Sequence, residues 1–146
     1  MEFISRVIHA VTVLHPMHVM AVHFPIALTT IALLFVVLAL IFRSRSLEQA
    51  AFYNNALVFV SALAAGASGM QINLANYAGA APNSNVKFFL AITLTILSLV
   101  LLVGRLTNSR ILWKPNTMVL YVAGFVLNFA LAGTLGFLGG VIVYGF

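Results

Sequence analysis

The sequence predicts an all-α integral membrane protein: a four-helix bundle with both termini on the outer side of the membrane. Three observations carry that expectation. Of 146 residues, 63% are hydrophobic and 6% charged, whereas a water-soluble domain carries about a quarter charged residues. Four apolar runs are each long enough to cross about 30 Å of hydrocarbon at about 1.5 Å per helical residue. The seven basic residues gather at the ends of those runs or in the short loops between them, where they report orientation rather than nucleic-acid binding.

Residues 1–15 read as a short interfacial helix with Phe3, Ile4, Val7, Ile8 and Val11 on its apolar side. Arg6 precedes only a brief apolar stretch, broken by His9 and closed by His15-Pro16. No small-residue cleavage site follows, so the segment does not read as a signal peptide. The first spanning helix is expected over about 17–42 and is stopped by Arg43-Ser-Arg-Ser46. The second covers about 50–76 and ends in the turn-forming run Ala78 to Asn85. The third covers about 86–106. Lys114-Pro-Asn-Thr117 is a helix start signal, and the fourth helix follows over about 117–144. The whole chain, 1–146, is one transmembrane domain with no room for a second.

Arg43, Arg45, Arg105, Arg110 and Lys114 lie in or beside the first and third loops, and only Arg6 and Lys87 fall at the other end. The imbalance puts those two loops in the cytoplasm. Trp113 suits an inner interfacial anchor, and Tyr77 and Tyr144 suit outer ones. A multi-pass protein of the bacterial inner (cytoplasmic) membrane is the expected setting.

Several chemistries are excluded. There is no cysteine, hence no disulfide, thiolate zinc site or iron–sulfur ligation. Glu2 and Glu48 are the only acids, too few for a carboxylate relay. No nucleophile–base pair or carboxylate pair supports hydrolysis, and no broken half-helices or charged membrane centre support transport. The chain is not expected to be an enzyme.

The concentrated chemistry is His15-Pro-Met-His-Val-Met-Ala-Val-His-Phe-Pro25, with three of the four histidines at the mouth of the first helix. An ionisable residue in a membrane span is a functional candidate. Pro16 suits the first helical position, and Pro25 removes a backbone hydrogen bond beside His23. His18 and His23 are five residues apart, about 140° around the helix. Imidazole is an axial ligand of haem and also suits copper and zinc. No histidine follows His23, so a second imidazole must come from this segment or from another molecule. His23 and Met70 each lie about 9 Å in from the outer ends of their helices, a depth at which both can ligate one haem b. A histidine pair across a homodimer and a five-coordinate tetrapyrrole remain alternatives. A second reading takes His15, Met17, His18, Met20 and His23 as an outward-facing copper site. A third has His15 and His18 bond headgroups or a neighbouring loop while His23 satisfies a carbonyl freed by Pro25.

Other polar residues are weaker candidates. Gln71, Asn73 and Asn76 sit at the outer end of the second helix, suited to capping or to a quinone headgroup. Asn128 suits one interhelical hydrogen bond. Small residues recur at four-residue spacing in the second helix (Ala62, Gly66; Ala65, Gly69) and in the fourth (Ala132, Gly136, Gly140). Such stripes admit another helix or a flat ring. The stripe in the fourth helix is the expected contact for a neighbouring helix, of another subunit or a second copy, or for a flat ring.

The run His15-Pro-Met-His18, followed by His23-Phe-Pro-Ile-Ala-Leu28, resembles the opening of the bacterial membrane family known as domain of unknown function 2231. Gly139-Gly-Val-Ile-Val-Tyr-Gly145 resembles its closing pattern. The resemblance spans nearly the whole chain and implies a four-helix membrane domain similar to small b-type cytochromes, sometimes joined to electron-transfer proteins. It carries over to His15, His18, His23, Pro25, Gly139, Gly140 and Tyr144. Where the family often has aspartates, this chain has Leu40-Ile-Phe42 and Met70-Gln-Ile-Asn73.

The functional expectation is therefore a small membrane subunit of a respiratory or photosynthetic electron-transfer complex. It would hold haem b or a chlorophyll-type tetrapyrrole through His23 or His18, with His15 and Met70 as further ligands. The alternatives are a cofactor-free structural or assembly subunit and an outward-facing copper-binding protein. Expected partners are other membrane subunits, lipids and a second copy of the chain, with no nucleic acid.

Overall fold

The computed structural model describes residues 3–5 and 17–144, the side chains of Met17, Asn76 and 142–144 excepted. Residues 3–5 are helical; the rest of the expected interfacial segment, His9 and His15 included, lies outside the described residues. The ordered elements are α1 (Met17–Phe42), α2 (Arg45–Tyr77), α3 (Ser84–Thr107), a short 3-10 turn η1 (Ile111–Trp113) and α4 (Pro115–Tyr144). All four α-helices are long and apolar enough to span a membrane, and the described residues form no strand.

Each helix packs on its neighbours in sequence, and α4 returns against α1 to close the ring. Short connections force this order, because antiparallel neighbours are the only ones a few residues can join. The loop between α1 and α2 is only Arg43 and Ser44. Arg43 turns the chain in the left-handed region at φ 48°. The Ser44 amide bonds back to the Ala39 carbonyl at 3.0 Å, a Schellman-type closure with arginine where glycine is usual. Ser44 then caps α2 by accepting from the Leu47 amide at 3.4 Å. The expected start of α2 near residue 50 is therefore moved back to Arg45, which places Glu48 in a helical first turn.

At the opposite end Asn73 closes the turn after α2. Its Nδ2 donates to the Gly79 carbonyl at 3.3 Å, and its Oδ1 accepts from the Ala81 amide at 3.0 Å. Asn73 thus serves the backbone, the capping role rather than a quinone contact. Pro25 lies inside α1 without ending it, and Thr29 and Thr30 both donate to the Ile26 carbonyl one turn later.

The interior seam runs on residues three and four apart. On α2 it is Glu48, Ala51, Asn55, Val58, Ala62 and Ala65; on α1, Thr29, Ala32, Val36 and Ala39; on α4, Tyr121, Phe125, Asn128 and Ala132. That 3-4 alternation is the knobs-into-holes spacing of antiparallel bundles. Many seam residues are small or polar, while large apolar residues such as Phe24, Leu34, Val60, Phe89 and Leu120 face outward. Lipid tails are as apolar as leucine, so burial inside the bundle gives a large side chain no advantage over lipid contact. Close approach and hydrogen bonding decide what goes inside.

Midway along the seam three helices share a hydrogen-bonded cluster. Asn128 Nδ2 donates to Asn55 Oδ1 at 3.2 Å and to Ser98 Oγ at 3.0 Å. Asn55 Nδ2 donates to the Ser98 carbonyl at 2.9 Å, and Ser98 Oγ donates to the Leu94 carbonyl at 2.8 Å. Asn128 makes more than the single interhelical bond expected of it. All three residues are buried, so the cluster sets the register of α2, α3 and α4 where no water competes.

Candidate functional site

The histidine end is built on the α1–α2 seam. His18, in the first turn of α1, is half-buried, and its Nδ1 lies 2.9 Å from Ser68 Oγ. Ser68 donates its one proton to the Ala65 carbonyl at 3.0 Å. The serine oxygen can therefore only accept from the imidazole, so Nδ1 carries hydrogen and Nε2 keeps its lone pair. Gly69 is what admits the ring: a Cβ there would lie 2.8 Å from His18 Cε1. Metal-binding histidines are commonly oriented in this way, one nitrogen tied to the protein and the other presented. Lys87 of α3 stands within electrostatic reach of the same ring.

His23 is exposed, and its Nδ1 bonds the Val19 carbonyl of its own helix. Pro25 frees the carbonyl one turn before it, that of Ala21, so His23 does not serve the group expected of it. Met20 and Met70 are exposed on the outside of the bundle. His15 lies outside the described residues, as does the side chain of Met17. Among the described side chains, the His18 ring is thus the one expected ligand that is packed into the seam. The described residues contain no cluster of three or more histidine or acidic side chains able to hold a metal ion.

The glycines divide into filled and open notches. Gly69 is filled by His18, and Gly136 by Ile26 of α1, whose Cδ1 lies 2.8 Å from the position of a Cβ. Ala132 is 1% exposed and packs in the core with Ile26 beside it. The Ala132–Gly136 part of the stripe in α4 therefore receives α1 of the same chain, not a neighbouring subunit as expected. Gly66, Gly133 and Gly139 meet nothing within 4 Å, and these are the open faces. A flat ring would lie on such an outer face, since the notches inside the seam are occupied.

A second polar site lies at the basic end and is absent from the sequence expectations. Glu48 is 2% exposed. Its Oε1 lies 2.6 Å from Arg105 Nε, and its Oε2 accepts from Trp113 Nε1 at 2.5 Å. The Arg105 N–H is not aimed along a hydrogen bond, so charge attraction holds the pair. The guanidinium also lies 5.9 Å from the centre of the Phe52 ring. Arg105 and Trp113, read as topological signals, are thus tied into the bundle as well. The available clue was that Glu48 is the only acid at the basic end.

No curated protein and no solved structure matches the chain. Residues 14–146 match the family model of domain of unknown function 2231, described as a predicted membrane protein. With four membrane-capable helices and that match over nearly its full length, the chain belongs to this family of membrane proteins.

Proposed function

We propose that this chain is a small subunit of a membrane electron-transfer complex, respiratory or photosynthetic, that presents the imidazole of His18 to a tetrapyrrole such as haem b. The observation that carries the reading is the Ser68–His18 hydrogen bond over Gly69, which ties Nδ1 to the protein and, with the serine proton on Ala65, leaves Nε2 its lone pair. A bound haem would supply one-electron redox chemistry at its iron. The chain's own part is to hold the ring nitrogen, with Ser68 raising its basicity. A second ligand to the iron would come from another copy of the chain or from a neighbouring subunit, because His23 turns away from His18 on the same helix.

The test is an ultraviolet–visible spectrum of protein purified from its native membrane with its partners. A Soret band that shifts on reduction and is lost in His18→Ala is expected, with Ser68→Ala weakening it. Retention of the full band in His18→Ala sinks this ligand assignment, and loss in His23→Ala alone transfers it to His23. A featureless spectrum with stoichiometric metal favours the copper reading. A featureless, metal-free sample favours a cofactor-free assembly subunit, for which the open faces at Gly66, Gly133 and Gly139 are the supporting observation.

The same proposal puts the protein in a bacterial inner membrane with the histidine end outside, on the strength of five basic residues against two. The chain lacks cysteine, so single labels are unambiguous. A cysteine at Ser84 is expected to react with a membrane-impermeant maleimide in intact cells, and one at Ser44 only after lysis. The opposite pattern turns the protein over and puts His18 in the cytoplasm.

A further inference from the structure

The basic end carries a groove that the electron-transfer reading does not use. It lies between the end of α1, η1 and the start of α4, has a volume of about 480 Å³, and is lined by Leu40, Arg43, Leu112, Trp113, Pro115 and Met118. That size is in the range of small-ligand sites, roughly 300–1,000 Å³. Its walls are apolar except for one guanidinium.

The charges decide what it suits. Glu48, the only acid among the described residues, is committed to Arg105 and Trp113. Arg43 has no anionic partner among the described residues, and Arg45, Arg110 and Lys114 add positive charge at the same end of the bundle. The first turn of α4, which opens at Pro115 in the groove wall, carries no acidic residue either. The positive end of the α4 dipole therefore adds to the field. Arg43 occupies a left-handed position at φ 48°, where glycine would satisfy the backbone at less strain. What arginine adds there is a cation on the groove.

The vertical order matches an amphiphile. Leu40 and Met118 lie within the membrane-capable stretches of α1 and α4, whereas Arg43 and Trp113 lie just beyond them. A phosphate at the level of Arg43 would have its glycerol and upper acyl carbons against Leu40 and Met118. Tryptophan beside such a site is at its preferred depth, the headgroup boundary. We infer that this groove binds one anionic phospholipid, its phosphodiester on Arg43 and its chain along Leu40 and Met118.

Trp113 is the only tryptophan in the chain and lines the groove, so its fluorescence reports the occupant. The experiment reconstitutes the full chain in phosphatidylcholine vesicles and titrates in phosphatidylglycerol with brominated acyl chains, against brominated phosphatidylcholine. Quenching of Trp113 is expected to favour phosphatidylglycerol by about fivefold, the usual effect of one basic residue near an anionic lipid. Arg43→Gly, which suits the left-handed backbone and so preserves the turn, is expected to abolish the preference. Arg45→Gln, outside the groove lining, is expected to keep it. Equal quenching by the two lipids in the wild-type protein overturns the inference. So does an undiminished preference in Arg43→Gly, which would assign the effect to the general positive field of the loops.

Discussion

Glu48→Gln is expected to destabilise the folded bundle by about 3–5 kcal/mol, the usual cost of removing one partner from a buried ion pair. The carboxylate is buried, and it neutralises Arg105 while accepting from the Trp113 indole. Glutamine keeps the shape and loses the charge. Arg105 is then left as an uncompensated cation beside Phe52 at the edge of a membrane span. Its side chain is 21% exposed, enough to turn partly toward headgroup water, which favours the lower end of that range. Thermal unfolding in mild detergent measures the effect. The double variant Glu48→Gln, Arg105→Gln should recover much of the loss, because no lone charge remains. A Glu48→Gln protein that melts within about 2 °C of wild type, a shift well below that expected for such a loss, rules out a stabilising role for the pair.

Gly136→Leu is expected to open the α1–α4 seam at the histidine end, costing about 1–3 kcal/mol through overpacking. A Cβ alone would press on Ile26 Cδ1 at 2.8 Å, a contact the end of the isoleucine can relieve by rotating. Three further carbons leave that side chain nowhere to go. Gly133→Leu is the matched control, because its Cβ would meet nothing within 4 Å. Melting temperature should fall in the first variant and hold in the second, and Ile26→Ala should rescue Gly136→Leu in part. If Gly133→Leu keeps its melting temperature and also changes migration on native gels, the open face contacts a partner. Equal melting of Gly136→Leu and wild type contradicts the intramolecular seam.

The candidate site was only half legible in the sequence. That His18 and His23 are the candidates for ligand chemistry follows from residue type and from their place at the mouth of a span. That His18 turns inward onto Gly69 while His23 turns out is a matter of helix phase, which depends on how α1 is rotated against α2. In a soluble protein the apolar stripe reveals that rotation. Here nearly every position is apolar, so the pattern of hydrophobicity is silent. The signal that was present is the spacing of small and polar residues on α2, from Glu48 through Asn55 to Ala65, and it marks the inner face directly.

By itself the sequence determined the membrane class, the four spans, their order and the end at which basic residues gather. These depend on the length and apolarity of segments, and the cost of burying unpaired backbone in lipid leaves no other structure for such segments. It also determined the family, through the opening histidine–proline motif. Tertiary structure alone decided how α1, α3 and α4 are rotated against the marked face of α2 and that the stripe in α4 belongs to α1. It alone joined Glu48 to Arg105 and Trp113, and Asn128 to Asn55 and Ser98. Those pairings link residues 30 to 73 positions apart. No local preference encodes them, because they form only when close packing of small residues brings the helices near enough for polar groups to meet away from water.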